Sequence, residues 1–339
     1  MVSIIIPTLN SARTLEACLD AICRQAFPRD QLEIVIADAG SSDDTLAIAR
    51  HHRVERIVEN SLRTGEAGKA AGIAASRGDL IALIDSDNIL PDPAWLRRMI
   101  APFADPEIMG TEPLEYTCRA EDPALTRYFA LLGMNDPICL FLGNYDRFCG
   151  ITGRWTELPV QQTDVGDYLK LTLEEAALPT IGANGFVFRR ALLERVTWSP
   201  YFFDIDVVHQ AVAAGQPHFA KVKTGIVHLF CDHLALFRRK QQRRIRDFLY
   251  FAATRQRTYP WQRQNKLAIL RFAFDTVLVL PLLVQMLRGM RRRPDRAWWY
   301  HIPVCWTTLW VYGTAAIGRL VGRKPKALER GNWQQGGNK

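Results

Sequence analysis

With 339 residues and a mass of 38.5 kDa, the chain has room for a catalytic domain of ~200–250 residues and an appendage. Hydrophobic residues make up 48% and charged residues 23%, which excludes a disordered, collagenous or coiled-coil protein. The net charge of +8 hides a split: residues 1–230 hold 21 Lys and Arg against 30 Asp and Glu, whereas residues 231–339 hold 22 against 5. A mildly acidic body thus precedes a concentrated cation, which suits a polyanionic partner, either nucleic acid or an anionic membrane surface. Seven cysteines, an odd number without a CxxC pair, suit a reduced protein on the cytoplasmic side better than a disulfide scaffold.

Residues 2–7 (VSIIIP) form an apolar, β-branched run closed by Pro7-Thr8, which predicts a central strand and leaves no place for a signal peptide. Asn10 or Ser11 is placed to cap the next segment, where Leu15, Cys18, Leu19 and Ile22 recur at helical spacing. Residues 32–37 (LEIVIA) predict a second strand ending in the polar run Asp38 to Asp44, followed by a helix from Thr45 to His51. Residues 54–58 predict a short third strand and residues 68–76 a helix. Residues 79–84 predict a fourth strand, ending in Asp85-Ser86-Asp87. Strand and helix alternate four times, the pattern of an open, mostly parallel α/β sheet. Ligands of such sheets bind beyond the carboxyl ends of the strands, where the polar clusters 8–10, 38–44 and 85–88 all fall.

Residues 111–180 are less regular and suit an insertion and acceptor-side structure. The Gly-rich run 180–188 becomes strand-like, residues 202–214 predict a helix stopped by Gly215, and residues 221–230 predict a last strand. A basic run at 238–246 follows, then two apolar stretches, 267–287 and 298–318, separated by an arginine-rich segment.

Two carboxylates in Asp85-x-Asp87 at a strand end repel one another unless a cation joins them. A hard divalent ion bound by one or two carboxylates plus phosphates fits that pattern, and a simple turn pair is the alternative. Asp38, first past its strand, suits a base imide or ribose hydroxyl, or an Asx-turn; Gly40 and Ser41 let backbone approach a ligand. Lys69 is a candidate for contact with a diphosphate or base, or a solvated lysine at a helix start.

Three segments in order, VSIIIPTLN, EIVIADAGSSDDT and GEAGKAAGIAASRGDLIALIDSDN, resemble the donor half of the inverting glycosyltransferase family 2. The resemblance implies a GT-A fold: a mostly parallel nucleotide-binding sheet flanked by helices, with the basic, apolar helical region appended at the C-terminus. It implies a glycosyltransferase domain over residues 1–232, with a donor half at 1–100 and an acceptor half at 101–232, before a membrane-associated region at 233–339. It also implies a nucleotide-sugar donor, UDP-sugar first, held by Pro7, Thr8, Asn10, Asp38, Gly40, Ser41, Lys69, Asp85, Ser86 and Asp87. Mg2+ or Mn2+ would sit at Asp85 and Asp87, with His228 matching a histidine that reaches the metal or diphosphate. The base would be Asp204, 11 residues before Gly215, with Asp206 as the second candidate and helix capping as the other reading of Asp204. Phe203 stands where the family usually has Glu. Gly182, Ala183, Asn184 and Gly185 resemble the segment beneath donor sugar and acceptor. Gln241-Gln-Arg-Arg-Ile245 is similar to the QxxRW signature of processive members, with Ile in place of Trp; a basic helix face is the other reading.

Each apolar stretch is 21 residues, long enough to cross a bilayer. A hairpin of two spans would export an arginine-rich loop against the positive-inside rule, so helices lying in or dipping into the cytoplasmic leaflet are expected, beside a lipid-linked or glycan acceptor. Two transmembrane helices are the alternative. Nucleic acid is not expected, because the aromatics lie in apolar stretches rather than along a polar groove. A nucleotidyltransferase or an inactive membrane-bound scaffold of the same fold are the competing functions.

Overall fold

The computed structural model describes residues 1–254, 256–260 and 265–322. The first hundred residues alternate as expected: β1 (Val2–Thr8), α1 (Ala12–Cys23), β2 (Leu32–Asp38), α2 (Thr45–His51), β3 (Arg56–Glu59), α3 (Gly65–Ala75), β4 (Leu80–Leu83), the two-residue β5 (Asn88–Ile89) and α4 (Trp95–Ile100). β1 lies between β2 and β4 and runs parallel to both, in a register that sets Thr8 opposite Asp38; β3 extends the parallel half beyond β2. β1 and β2 are almost wholly buried, which is why they read as continuous Ile and Val rather than as an alternating pattern. α1 turns Leu15, Cys18, Leu19 and Ile22 into the core. On the other face α3 sits directly on β1, because a Cβ at Gly72 would collide with the Ile5 side chain.

The second half comprises β6 (Gly110–Tyr116), α5 (Ala124–Leu132), α6 (Ile138–Leu142), the hairpin β7 (Gln161–Asp164) and β8 (Tyr168–Thr172), β9 (Phe186–Arg189), α7 (Asp204–Ala213) and β10 (His218–His228). The strands among the described residues form one sheet in the order β3-β2-β1-β4-β9-β6-β10-β8-β7, with β5 paired to β10. β9 runs antiparallel between β4 and β6, with Phe186 opposite Leu83. That reversal brings the segment before β9, residues 182–185, to the carboxyl end of β4. β10 runs parallel to β6 and therefore in the same sense as β4. Its last residue, His228, pairs with Asn88 just beyond the acidic turn.

The C-terminal part forms α8 (Leu234–Ala253), α9 (Lys266–Leu278), α10 (Leu280–Arg292) and α11 (His301–Leu320). The stretch 267–287 is not one helix. It breaks at Val279, where φ is +62°, and the two legs meet at 92°. Pro281 explains the break: it has no N–H to donate and its ring clashes with the carbonyl four residues earlier. Residues 298–318 become the end of a single 3-10 turn, Arg296–Tyr300, and most of α11. These helices share a core with the second half of the sheet domain, in which Trp298, Val304, Met286 and Phe237 pack with Tyr128, Phe129 and Phe230.

Candidate active site

At the ends of β1 and β2 the Asp38 carboxylate organises the loop around itself. It accepts from Thr8 Oγ1 at 2.9 Å, from the Gly40 and Ser41 N–H groups at 2.9 and 2.8 Å, and from Ser41 Oγ at 2.6 Å. Asn10 ties the two strand ends together: its N–H donates to Ser41 Oγ and its Oδ1 accepts from the Ser42 N–H. Asn10 therefore does not cap α1. Pro7 lies beneath Gly68, at a distance where a Cβ would be only 2.9 Å away. Beside this loop opens a cleft of about 340 Å³, with Leu46, Ile57 and Val58 as apolar wall and Asp38, Glu59 and Arg63 among its polar groups. Gly40, at φ +88°, faces the Arg63 guanidinium there.

The acidic turn follows β4. Asp85, Ser86 and Asp87 are half-buried. The turn is pinned by the Asp85 N–H to Asn88 Oδ1 at 3.0 Å, Ser86 Oγ to Ser11 Oγ at 3.0 Å, and the Leu229 N–H to the Asp87 carbonyl at 2.9 Å. His228 Nε2 stands 3.6 Å from Asp87 Oδ1, and Lys240 Nζ reaches in from α8 to 3.8 Å from Oδ2. Burial pushes the Asp87 carboxyl up, but His228 and Lys240 overcome it and hold the group at about 2. Lys240 was not among the expected site residues. It lies in the basic run 238–246, and only the placement of α8 separates it from its arginine neighbours.

Asp204 opens α7 and is paired with Lys69, whose Nζ donates to both carboxylate oxygens at 2.8 and 2.7 Å. Burial pushes Asp204 up to about 6, with Asp85 adding to the rise and Lys69 opposing it. Lys69 is held above its ordinary value by Asp204 despite burial. Gly182 packs against Asp204 so closely that a Cβ would fall 2.9 Å from the Asp204 Cβ, and its φ of +122° excludes other residues independently. Phe203 lies in an aromatic wall with Tyr201 and Phe251, at ring separations of 5.8 and 4.9 Å.

Several expected roles do not survive. Asp206 is 3% exposed and is not available as a base. Its carboxylate accepts from Arg257 Nε at 2.7 Å and from the Thr258 and Tyr259 N–H groups at 2.5 and 2.8 Å. Residues two apart on a helix face different sides, so Asp204 meets Lys69 while Asp206 anchors the segment after α8. Asn184, at φ +46°, is consumed by the framework: Oδ1 accepts from Asn88 Nδ2 and Nδ2 donates to Tyr116 Oη, both at 3.1 Å. Gly185 is packed among Ile226, Pro113 and Trp95, which leaves Gly182 and Ala183 as the part of that segment nearest Asp204. Gln241 is fully buried and faces Thr308 of α11, and Arg244 pairs with Asp136; the QxxR-like run holds helices together.

A buried ionic cluster supports the 182–185 segment and was not foreseen. Arg147 pairs with Glu112 at 2.7 Å and with Asp146, and donates to the carbonyls of Ala183 at 2.9 Å and Asn184 at 3.2 Å. Glu112 also accepts from Lys221 and from the Gly182 N–H at 3.0 Å. Lys221 and Glu112 are cross-strand partners on β10 and β6. Charged residues inside otherwise apolar strand sequence were the available signal.

Among the described residues no three His, Cys, Asp or Glu side chains gather tightly enough to enclose a metal ion. Asp85 and Asp87, with His228 beside them at 3.6 Å from Asp87 Oδ1, still suit Mg2+ or Mn2+, because such an ion commonly takes one or two carboxylates and completes its shell with water and substrate phosphates.

Replacing Asp206 by Ala is expected to cost about 1–3 kcal/mol, because Arg257 and two backbone N–H groups lose their acceptor. Urea unfolding checks the loss, and faster proteolysis after Arg257 checks its location. A base would show instead as lost turnover at unchanged stability.

A parallel half-sheet with a cleft at its carboxyl ends, an acidic turn and a carboxylate brought back from the second half define a protein of the GT-A fold. Residues 3–155 match the family model described as Glycosyl transferase family 2. Glycosyltransferase AglE of Haloferax volcanii is 30% identical over 140 residues, covering 39% of this chain and 45% of that protein. Glucosyl-3-phosphoglycerate synthase of Mycobacterium tuberculosis is 35% identical over 112 residues, 30% of this chain and 33% of the relative. The chain thus spans less than half the length of these curated relatives. A mannosyltransferase from Pyrobaculum calidifontis, solved with GDP-Man and Mn2+, is 17% identical and aligns over 95% of this chain and 88% of its own at a TM-score of 0.53. That likeness shows the fold.

Proposed function

We propose that the protein is an inverting, metal-dependent glycosyltransferase that moves a sugar from a nucleotide-diphospho-sugar, UDP-sugar in the first instance, to an acceptor hydroxyl. One observation carries this reading above the others: Asp204, from the second half of the chain, lies half-buried against Lys69 and within electrostatic reach of Asp85 at the end of β4. That pairing supports a base and a cation beside the donor diphosphate. The cleft beside Asp38 takes the nucleoside, its loop held open by the Asp38 hydrogen bonds.

In the reaction, Asp204 accepts the proton of the acceptor hydroxyl as that oxygen attacks the anomeric carbon. The bond from that carbon to the diphosphate opens on the opposite face, so the configuration inverts. A carboxyl at about 6 is suited to the task, since it is ionised at neutral pH and remains basic enough to take a proton. Lys69 orients Asp204 and presents positive charge toward the departing diphosphate. Bound at Asp85, Asp87 and His228, a divalent ion would neutralise charge developing on that leaving group. Lys240 Nζ, 3.8 Å from Asp87 Oδ2, adds positive charge beside that carboxylate.

Calorimetric titration with UDP and Mn2+, on the native protein and on the Asp85→Ala/Asp87→Ala variant, tests the assignment. Binding that requires the metal and weakens at least about tenfold in the variant is expected, a loss of about 1.4 kcal/mol. Metal-independent binding, or none, returns the protein to a scaffold; release of pyrophosphate rather than UDP in turnover assigns a nucleotidyltransferase. UDP-, GDP- and dTDP-sugars compared by nucleotide release test the base.

The acceptor on this reading is lipid-linked and met on the cytoplasmic side of a membrane. The cation-rich C-terminal helical layer supports it. Transfer to extracted lipid rather than to soluble sugars checks the acceptor.

A further inference from the structure

α9 and α10 each carry an apolar stripe that no described residue covers. On α9 it consists of Leu267, Leu270, Phe274, Val277 and Leu278, and on α10 of Leu280, Val284 and Leu287, with exposures between 42% and 75%. Spacings of three and four place each set on one helix face. The opposite faces are buried: Ala268, Phe272 and Thr276 on α9, Leu282 and Met286 on α10. A third stripe follows along α11 and the turn before it, where Trp299, Trp306, Trp310 and Ile317 are exposed at steps of seven and four.

The charges around these stripes have one sign. The Arg271 side chain is 74% exposed and pairs with Asp275 at 3.6 Å, so the positive field comes from Arg288 and Arg291, which continue the α10 stripe at its exposed end. Asp275 is the single acid of α9 and α10; it is turned inward and buried. Each leg of the elbow is 13 residues, about 20 Å, too short for a hydrocarbon core of about 30 Å. Among the described residues no single helix is long and apolar enough to cross a membrane.

We propose that the α9–α10 elbow, with the tryptophan stripe of α11, is a docking surface for an anionic lipid bilayer: the apolar stripes enter the acyl boundary in plane and the arginines rest on headgroups. Tryptophan at the boundary and arginine at the headgroups are what that environment selects. A second copy of the chain is the poorer occupant, because a two-fold contact through this face would set its arginines against themselves with no exposed acid to pair. The surface is tied through α8 to the acidic turn and to the start of α7. α8 is joined to α11 through Gln241 and Thr308, sends Lys240 to Asp87 and packs Phe251 on Phe203 beside Asp204.

The inference names a binding surface and needs no sugar transfer to be correct, so the two readings fail separately. Co-sedimentation of the full chain with phosphatidylcholine vesicles, with and without phosphatidylglycerol, is the test. Binding that requires phosphatidylglycerol is expected, weakened at least about tenfold by Arg288→Glu/Arg291→Glu and comparably by Phe274→Glu/Val284→Glu. UDP–Mn2+ titration and circular dichroism on the same variants verify that they fold. Unchanged vesicle binding in folded variants overturns the proposal. So does a native protein that ignores vesicles, or one whose apolar variant loses only a dimer on size exclusion.

Discussion

Replacing Asp204 with asparagine is expected to lower kcat for sugar transfer by about 10²–10⁴-fold, the range associated with a positioned general base, with UDP–Mn2+ affinity little changed. Asparagine retains the shape and an oxygen for Lys69, but it takes no proton. Binding and turnover measured on one sample separate the two effects, and comparable losses in both would deny Asp204 the role of base. The native enzyme should also show an acid limb. Asp204 must be ionised to act, and burial lifts its carboxyl to about 6, so kcat/KM climbs as pH rises through about 6 and levels above it. Lys69 pulls the group down. In Lys69→Met that pull is gone and the limb moves to higher pH, whereas in Asp204→Asn the limb disappears.

Arg147→Met is expected to destabilise the fold by about 3–5 kcal/mol, the usual consequence of removing one partner from a buried ion pair. Arg147, Glu112 and Lys221 are fully buried and Asp146 nearly so, and within this cluster two acids balance two bases. Taking away the guanidinium leaves Glu112 and Asp146 facing Lys221 alone, and it frees the carbonyls of Ala183 and Asn184 that Arg147 holds. The segment under Asp204 then loses its support, so turnover should fall along with stability. Guanidinium unfolding followed by tryptophan fluorescence measures the first, and transfer assays well below the melting temperature measure the second. A loss below about 1 kcal/mol would mean that the cluster carries no such weight.

Much of the first hundred residues was legible in the sequence because its signals are local. A strand buried on both faces must be an apolar, β-branched run, as in residues 2–6 and 32–37, and the polar residues past each such run mark the ligand edge. Thr8, Asp38, Asp85 and Asp87 all sit at that edge. Asp204 and His228 also lie there, although their positions came from resemblance rather than pattern. Asp38 shows the limit of such reading: the site pattern and the Asx-turn were both open, and the loop hydrogen bonds show that its carboxylate builds the loop beside the cleft.

Other features depend on contacts distant in the chain. Asp204 and Asp206 have equal claims in sequence, and they part because α7 turns one toward Lys69 and the other toward residues 257–259. Asn184 resembles a ligand group and is instead a strut, since the reversed strand β9 drives it between Asn88 and Tyr116. Composition made the C-terminal layer basic and apolar, but only packing against α6 and α11 decides which face of each leg is buried. Lys240 differs from neighbouring cations solely in where α8 lies.

The sequence by itself therefore determined the alternating α/β order, the strand-end acidic turn and the cationic C-terminal third, because propensity, burial periodicity and charge act between near neighbours. Tertiary structure alone decided the antiparallel insertion of β9, the Lys69–Asp204 pair, the buried Glu112–Arg147–Lys221 cluster and the exposed side of the elbow. Each of those is an interaction between segments far apart in the chain, so its energy depends on a geometry that no local pattern encodes.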